Sequence, residues 1–157
     1  MSIEACRAYL RERGYEDRIR EFDVSSATVE LAAQAVGCEP AHIAKTLSFV
    51  HEDGAILIVC AGDAKIDNSK FKAQFHHKAT MLTSDQVVEF TGHTIGGVCP
   101  FAITHPNVTA YLDVSLQRFD TIYPAAGNAA SAVQLNCDEL AQLANSAGWI
   151  DVCKGWQ

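Results

Sequence analysis

Lys45-Thr46-Leu47-Ser48-Phe49-Val50-His51-Glu52-Asp53-Gly54-Ala55-Ile56-Leu57-Ile58-Val59-Cys60 is the stretch that decides the fold. Its first arm alternates, with Leu47 and Phe49 on one side and Thr46, Ser48 and Val50 on the other, as a strand requires. Glu52-Asp53-Gly54 reads as a turn, and Ala55–Cys60 returns as an almost continuous apolar run. A run of that kind belongs at the centre of a sheet, so the pair predicts a hairpin with a buried second arm.

Upstream of the hairpin, Ile3, Cys6 and Leu10 share a helical stripe that stops at Gly14, and Arg18–Val24 reads as a short strand. Ser25 or Ser26 is placed to cap a helix carrying Val29, Ala32, Ala33 and Val36, closed by Gly37. Glu39-Pro40 then opens one helical turn. Downstream, Asp67–Phe75 is helical in pattern, residues 79–82 form a short strand, and Thr83 or Ser84 caps a helix ended by Gly92. Val108–Val114, Thr121–Ala126 and Ala132–Leu135 are strand-like, with a helical turn at Ser115–Phe119. Asn136 caps a last helix, and Trp149, Ile150 and Val152 supply a closing strand. The order is not a regular βαβα alternation. It predicts an α+β fold: a curled, mixed, mainly antiparallel and barrel-like sheet flanked by helices, with residues 1–157 as a single domain.

The 157 residues, 48% of them hydrophobic, are enough to bury a core without metal or disulfide support. The six cysteines are scattered with no C-x-x-C pair, which points to reduced thiols and a cytoplasmic address. Nothing resembles a signal peptide, and the apolar runs are too short to cross a bilayer, so no membrane partner is expected. A net charge of −7 argues against broad affinity for nucleic acid and against a DNA partner. Residues 44–78, however, hold five lysines against four acids, a local surplus that can receive a phosphate-bearing end.

Between polar residues, His93-Thr94-Ile95-Gly96-Gly97-Val98-Cys99-Pro100-Phe101-Ala102 places two glycines, a thiol, a proline and an aromatic, which neither helical nor strand periodicity asks for. Gly96 and Gly97 are either a flexible turn or a wall where a ligand approaches the backbone and meets N–H groups. Lys45, where a helical turn passes into a strand, is either a surface residue or the cationic edge of a pocket. Cys99 is a possible nucleophile with His93 or His105 close in sequence, although no elbow motif holds it and Pro100 follows. Asp113 ends a strand and can orient a loop. Gly127-Asn128 ends another where little side-chain bulk leaves room for a ligand or a helix. His76-His77 and the other histidines lack ligand spacing, no phosphate loop or dinucleotide fingerprint is present, and neither metal nor cofactor is expected.

Ala44-Lys45-Thr46, Gly96-Gly97-Val98-Cys99-Pro100-Phe101, Tyr111-Leu112-Asp113 and Ala125-Ala126-Gly127-Asn128, in that order and spacing, resemble the YbaK/prolyl-tRNA synthetase-associated editing domain family over roughly residues 20–145. The resemblance implies a curled mixed sheet and hydrolysis of wrongly aminoacylated tRNA, commonly tRNA for proline carrying alanine or cysteine. It implies Lys45 near the terminal adenosine and the ester, with Gly96 and Gly97 as the catalytic backbone. Thr46, Val98, Cys99, Pro100 and Phe101 would line the pocket, and Asp113, Gly127 and Asn128 would support the ligand's end. The implied partners are an aminoacyl-tRNA acceptor end and an aminoacyl-tRNA synthetase. Two positions depart from the pattern: Ala102 stands where many relatives have glycine, and Cys99 where serine, threonine or proline is frequent. The ester is already activated, so loop N–H groups and a water could suffice for hydrolysis. Two other readings stay open: a binding module for aminoacyl-tRNA without turnover, and a Cys99-dependent hydrolase of another small acyl ester.

Overall fold

The computed structural model describes residues 2–156. Helix α1 (Ser2–Glu12), a 3₁₀ turn at Glu16–Arg18, strand β1 (Ile19–Glu21) and helix α2 (Val29–Val36) lead through a second 3₁₀ turn at Pro40–His42 into the hairpin. Its arms are β2 (Ile43–His51) and β3 (Gly54–Ala61), and every residue of β3 is buried. There follow β4 (Lys65–Ile66), α3 (Asn68–Phe75), α4 (Ser84–Thr91), β5 (Val108–Asp113), a 3₁₀ helix at Val114–Arg118, β6 (Tyr123–Pro124), β7 (Ser131–Val133), α5 (Cys137–Leu143), β8 (Trp149–Ile150) and β9 (Cys153–Lys154).

The main sheet runs in the order β6-β2-β3-β5-β8. β2 and β3 are antiparallel, while β2–β6, β3–β5 and β5–β8 are parallel. Two antiparallel ribbons, β1–β7 and β4–β9, flank it, and an Ile122↔Leu135 bridge continues the curl from β6 toward β7. The fold is therefore the expected mixed α+β one. Antiparallel pairing leads through the long hairpin and the ribbons, and the other ladders of the main sheet are parallel because α3, α4 and α5 intervene between their strands.

Local signals account for most helix ends. Thr83 with Gln86 and Asn136 with Glu139 form capping boxes, and Gly37 and Gly92 close α2 and α4 in the left-handed conformation. The cap of α2 differs from expectation: it is Thr28, whose hydroxyl accepts from Leu31 N–H. Both serines are engaged elsewhere, Ser25 accepting from Ala27 N–H and Ser26 from Ser131 N–H. The expected strands at 79–82 and 121–126 shrink to a single Phe49↔Met81 bridge and to Tyr123–Pro124.

The principal core joins Cys6 and Leu10 of α1, Phe71 and Phe75 of α3, and Phe101, Leu112, Leu116 and Leu140 around β3. Two smaller clusters lie to either side of the β2 edge: Ala32, Ala33 and Ile43 on one, Ala55, Leu82 and Val87 on the other. No described helix is long and apolar enough to cross a membrane.

Candidate functional site

The outer edge of β2 is covered at both ends and open between them. β6 pairs with Ile43 and Ala44, while Val50 N–H donates to Thr80 O and Leu82 N–H to Ser48 O. Strand alternation turns the Thr46 backbone toward this same edge, since Ser48 and Val50 bond across it. Neither ladder reaches Thr46. A cavity of about 320 Å³ opens at that gap, between the two small apolar clusters.

Thr46 lines the gap, and its hydroxyl oxygen is buried beside it without a hydrogen-bond partner. Ser26, Thr28, Ser48 and Ser131 add further hydroxyl-bearing residues to the lining, and Val29, Ala32, Ile43, Leu47, Leu82, Val87 and Val98 make an apolar wall. Met81 and Ile95, also among the lining residues, remain 59% and 62% exposed. Among the described residues, Lys45 is the one charged group lining the cavity. Its Nζ donates to Gly62 O over a long 3.4 Å and pairs with no described carboxylate. The adjacent Asp63 is instead gripped by Arg118, at 3.0 and 2.6 Å, whose guanidinium holds the carboxyl below its ordinary range. Lys45 thus keeps N–H donors for a ligand oxygen.

The glycine loop reaches this cavity unevenly. Gly96, at φ 95°, and Val98 line it, and Gly97 does not. The Gly97 N–H donates to Thr94 O at 3.0 Å, so it is not available to an oxyanion. What glycine supplies at 97 is close approach: a Cβ there would stand 2.4 Å from Asn128 Cα. Asn128 in turn accepts from Ala130 N–H through its side chain, and Ser131 Oγ bonds Asn128 O and Ala126 N–H. Gly127 and Asn128 therefore shape the loop whose flanks, Ala125 and Ser131, line the cavity, and are not lining residues themselves.

Cys99, Pro100, Phe101 and Asp113 lie away from the cavity. Phe101 is fully buried in the principal core. Asp113 is closed off, accepting from Ser115 N–H and Val152 N–H at 2.9 Å each, which ties the 3₁₀ helix to the chain after β8. Cys99 does meet His93, as their nearness in sequence suggested, at 3.5 Å. The pair also meets Cys6 and sits in the core, where burial and Cys6 push the Cys99 thiol well up. No acyl ester in the cavity can reach that sulfur, which corrects its assignment as a pocket-lining residue or nucleophile. Ser26, Thr28, Ser48 and Ser131 are polar lining residues that sequence motifs missed. For Ser48 the signal was present, because strand alternation puts it on the side of Thr46.

Comparison with known proteins agrees with this architecture. The chain belongs to the aminoacyl-tRNA editing domain family, whose model matches residues 24–143. It is 51% identical over 159 residues, across 100% of both chains, to the uncharacterized protein YwhH of Bacillus subtilis (strain 168). A stretch of 93 residues, 59% of the chain, is 28% identical to the proline–tRNA ligase of Thermotoga neapolitana and spans 16% of that enzyme. The solved structure of a proposed trans-editing enzyme for prolyl tRNA synthetase superposes with a TM-score of 0.87 at 32% identity, covering 98% of each chain. Family and neighbour together support an aminoacyl-tRNA editing role.

Proposed function

We propose that this protein hydrolyses, in trans, the ester between a small amino acid and the 3′ end of mischarged tRNA, with tRNA for proline as the acceptor. The observation that carries this reading is the β2-edge cavity, with one cation, Lys45, and one buried unpartnered hydroxyl, Thr46, in an editing-domain chain. Its volume of about 320 Å³ lies at the small end of ligand clefts, roughly 300–1,000 Å³, which suits an aminoacyl group and part of a ribose. Lys45 orients the ester or the terminal adenosine's phosphate, Thr46 bonds a polar group of the substrate, and Gly96 offers backbone to the carbonyl oxygen as charge develops. No carboxylate, thiol or imidazole lines the described cavity, so the attacking water takes its proton acceptor from the substrate, where the ribose hydroxyl next to the ester is suited to it.

The same feature favours a second reading, capture of an aminoacylated end without turnover. Deacylation of tRNA for proline charged with alanine, serine or cysteine separates the two. The wild type is expected to release the amino acid, and Lys45→Ala to lose about 10²–10³-fold in rate, as when a transition-state donor is removed. Tight binding with no release by the wild type would establish the capture module instead. Unchanged release by Lys45→Ala would remove Lys45 from the mechanism.

A further inference from the structure

Behind the cavity loop, one side chain of α1 meets two from the segment after α4 in the core. Cys6 Sγ lies 3.4 Å from Cys99 Sγ, and the two sulfurs lie 4.0 and 3.5 Å from His93 Nε2. Both cysteines are fully buried, and His93 is 1% exposed. None of the three lines the cavity, so the proposed ester hydrolysis does not use them.

We propose that Cys6 and Cys99 are a redox-convertible dithiol, which hydrogen peroxide closes into a disulfide tying α1 to the loop that carries Gly96 and Val98. The Cys6 thiolate attacks one peroxide oxygen and the O–O bond breaks, leaving a sulfenic acid and a hydroxide that takes up a proton. The Cys99 sulfur then attacks the Cys6 sulfur. The sulfenic oxygen departs with the Cys99 proton as water. Two thiols and one peroxide become one disulfide and two waters; the sulfurs are oxidised and the peroxide oxygens reduced.

The surroundings select this chemistry over two others. A metal would need a lone pair on His93 Nε2, but that nitrogen lies 2.9 Å from Phe101 O and so carries the proton it donates. Moving the proton to Nδ1 would strand an N–H, because that atom is buried without a partner. In the other touching pair, Cys60 and Cys153, the Cys60 contact, burial and the Asp113 carboxylate together push the Cys153 thiol up. Cys6 has the opposite setting. The hydrogen bond from Cys99 outweighs burial and, helped by His93, draws its thiol down to about 6. One sulfur is thus prepared as the nucleophile and its neighbour stays protonated. Peroxide reaches the pair through a local opening in which α1 lifts from the core.

The test uses the full-length, fully reduced protein, treated with hydrogen peroxide, alkylated and digested for peptide mass spectrometry. The expected product is a Cys6–Cys99 cross-linked peptide pair lacking two hydrogens. A thermal midpoint raised by about 5–15 °C accompanies it, for a cross-link closing so long a loop. Dithiothreitol reverses both changes, and Cys6→Ala and Cys6→Val abolish both. The proposal is overturned if Cys6 and Cys99 remain alkylatable, or if Cys60 and Cys153 cross-link in their place. Stoichiometric binding of zinc or copper(I) that needs both Cys6 and Cys99 and blocks their oxidation overturns it in favour of a metal centre. The peptide assignment comes from the wild type, so it decides the matter even if a variant fails to fold.

Discussion

The backbone of Gly97 lies directly on that of Asn128, with no room for a methyl group between them: a Cβ at 97 would meet Asn128 Cα at 2.4 Å and its N and C atoms at 2.6 Å. Two motifs well separated in the chain, at residues 97 and 128, are thereby pressed into one wall beside the cavity. Gly97→Ala is expected to force them apart and destabilise the protein by about 1–3 kcal/mol. Thermal unfolding should then fall by roughly 2–4 °C per kcal/mol. An unchanged midpoint would show that the two loops do not depend on each other.

Thr46 separates stability from function. Its hydroxyl is buried and unpartnered at the cavity wall, so Thr46→Val removes a desolvated polar group at nearly constant shape. The variant is expected to be as stable as the wild type, or more stable by up to about 1 kcal/mol, while its deacylation rate falls. Thermal melts and deacylation rates on one preparation check both halves. Full activity in Thr46→Val would mean that the hydroxyl never meets substrate.

Ala102 adopts φ 59°, a left-handed conformation in which an L side chain is strained. The resemblance already marked this position as one where glycine is frequent, and the backbone supplies the reason. Ala102→Gly relieves a strain of about 1–2 kcal/mol and forfeits about 0.5–1 kcal/mol of chain entropy. A gain of about 0.5–1 kcal/mol is expected, read as a higher denaturation midpoint. A loss would show that the methyl group packs well enough to repay its strain.

The Asp63–Arg118 pair gives the protein an acid limb. Arg118 depresses the Asp63 carboxyl, against a smaller opposing effect of burial. A group depressed in the folded state stabilises it fully above its unfolded value, near 3.9, and loses that stabilisation as pH falls through the lower folded value. Melting midpoints of the wild type should therefore drop below about pH 4 more steeply than those of Asp63→Asn. Because the Asp63 side chain is 34% exposed the effect is modest, and parallel curves would remove the pair from the stability of this corner.

Signals confined to a few neighbouring residues were legible in the sequence because short-range physics decides them. Alternation from Thr46 to Val50, the apolar run at Ala55–Cys60, and the capping boxes at Thr83 and Asn136 act through the residues beside them. Where competing partners come from afar, local reading failed. Ser25 and Ser26 looked like caps, and Thr28 became one because Ser26 is engaged by Ser131.

The sequence alone determined the hairpin, the mixed α+β class, and the order of motifs that marks the editing-domain family. Tertiary structure alone decided that β6 and Thr80–Leu82 stop short of Thr46, leaving the gap that is the cavity. It also decided that Cys99 and Phe101 turn into the core while Gly96 and Val98 face the gap, and that Cys6 meets Cys99 across 93 residues. Strand pitch and capping act over a few residues of chain. An uncovered sheet edge and a pair of touching sulfurs are set by the packing of whole elements, which no local pattern records.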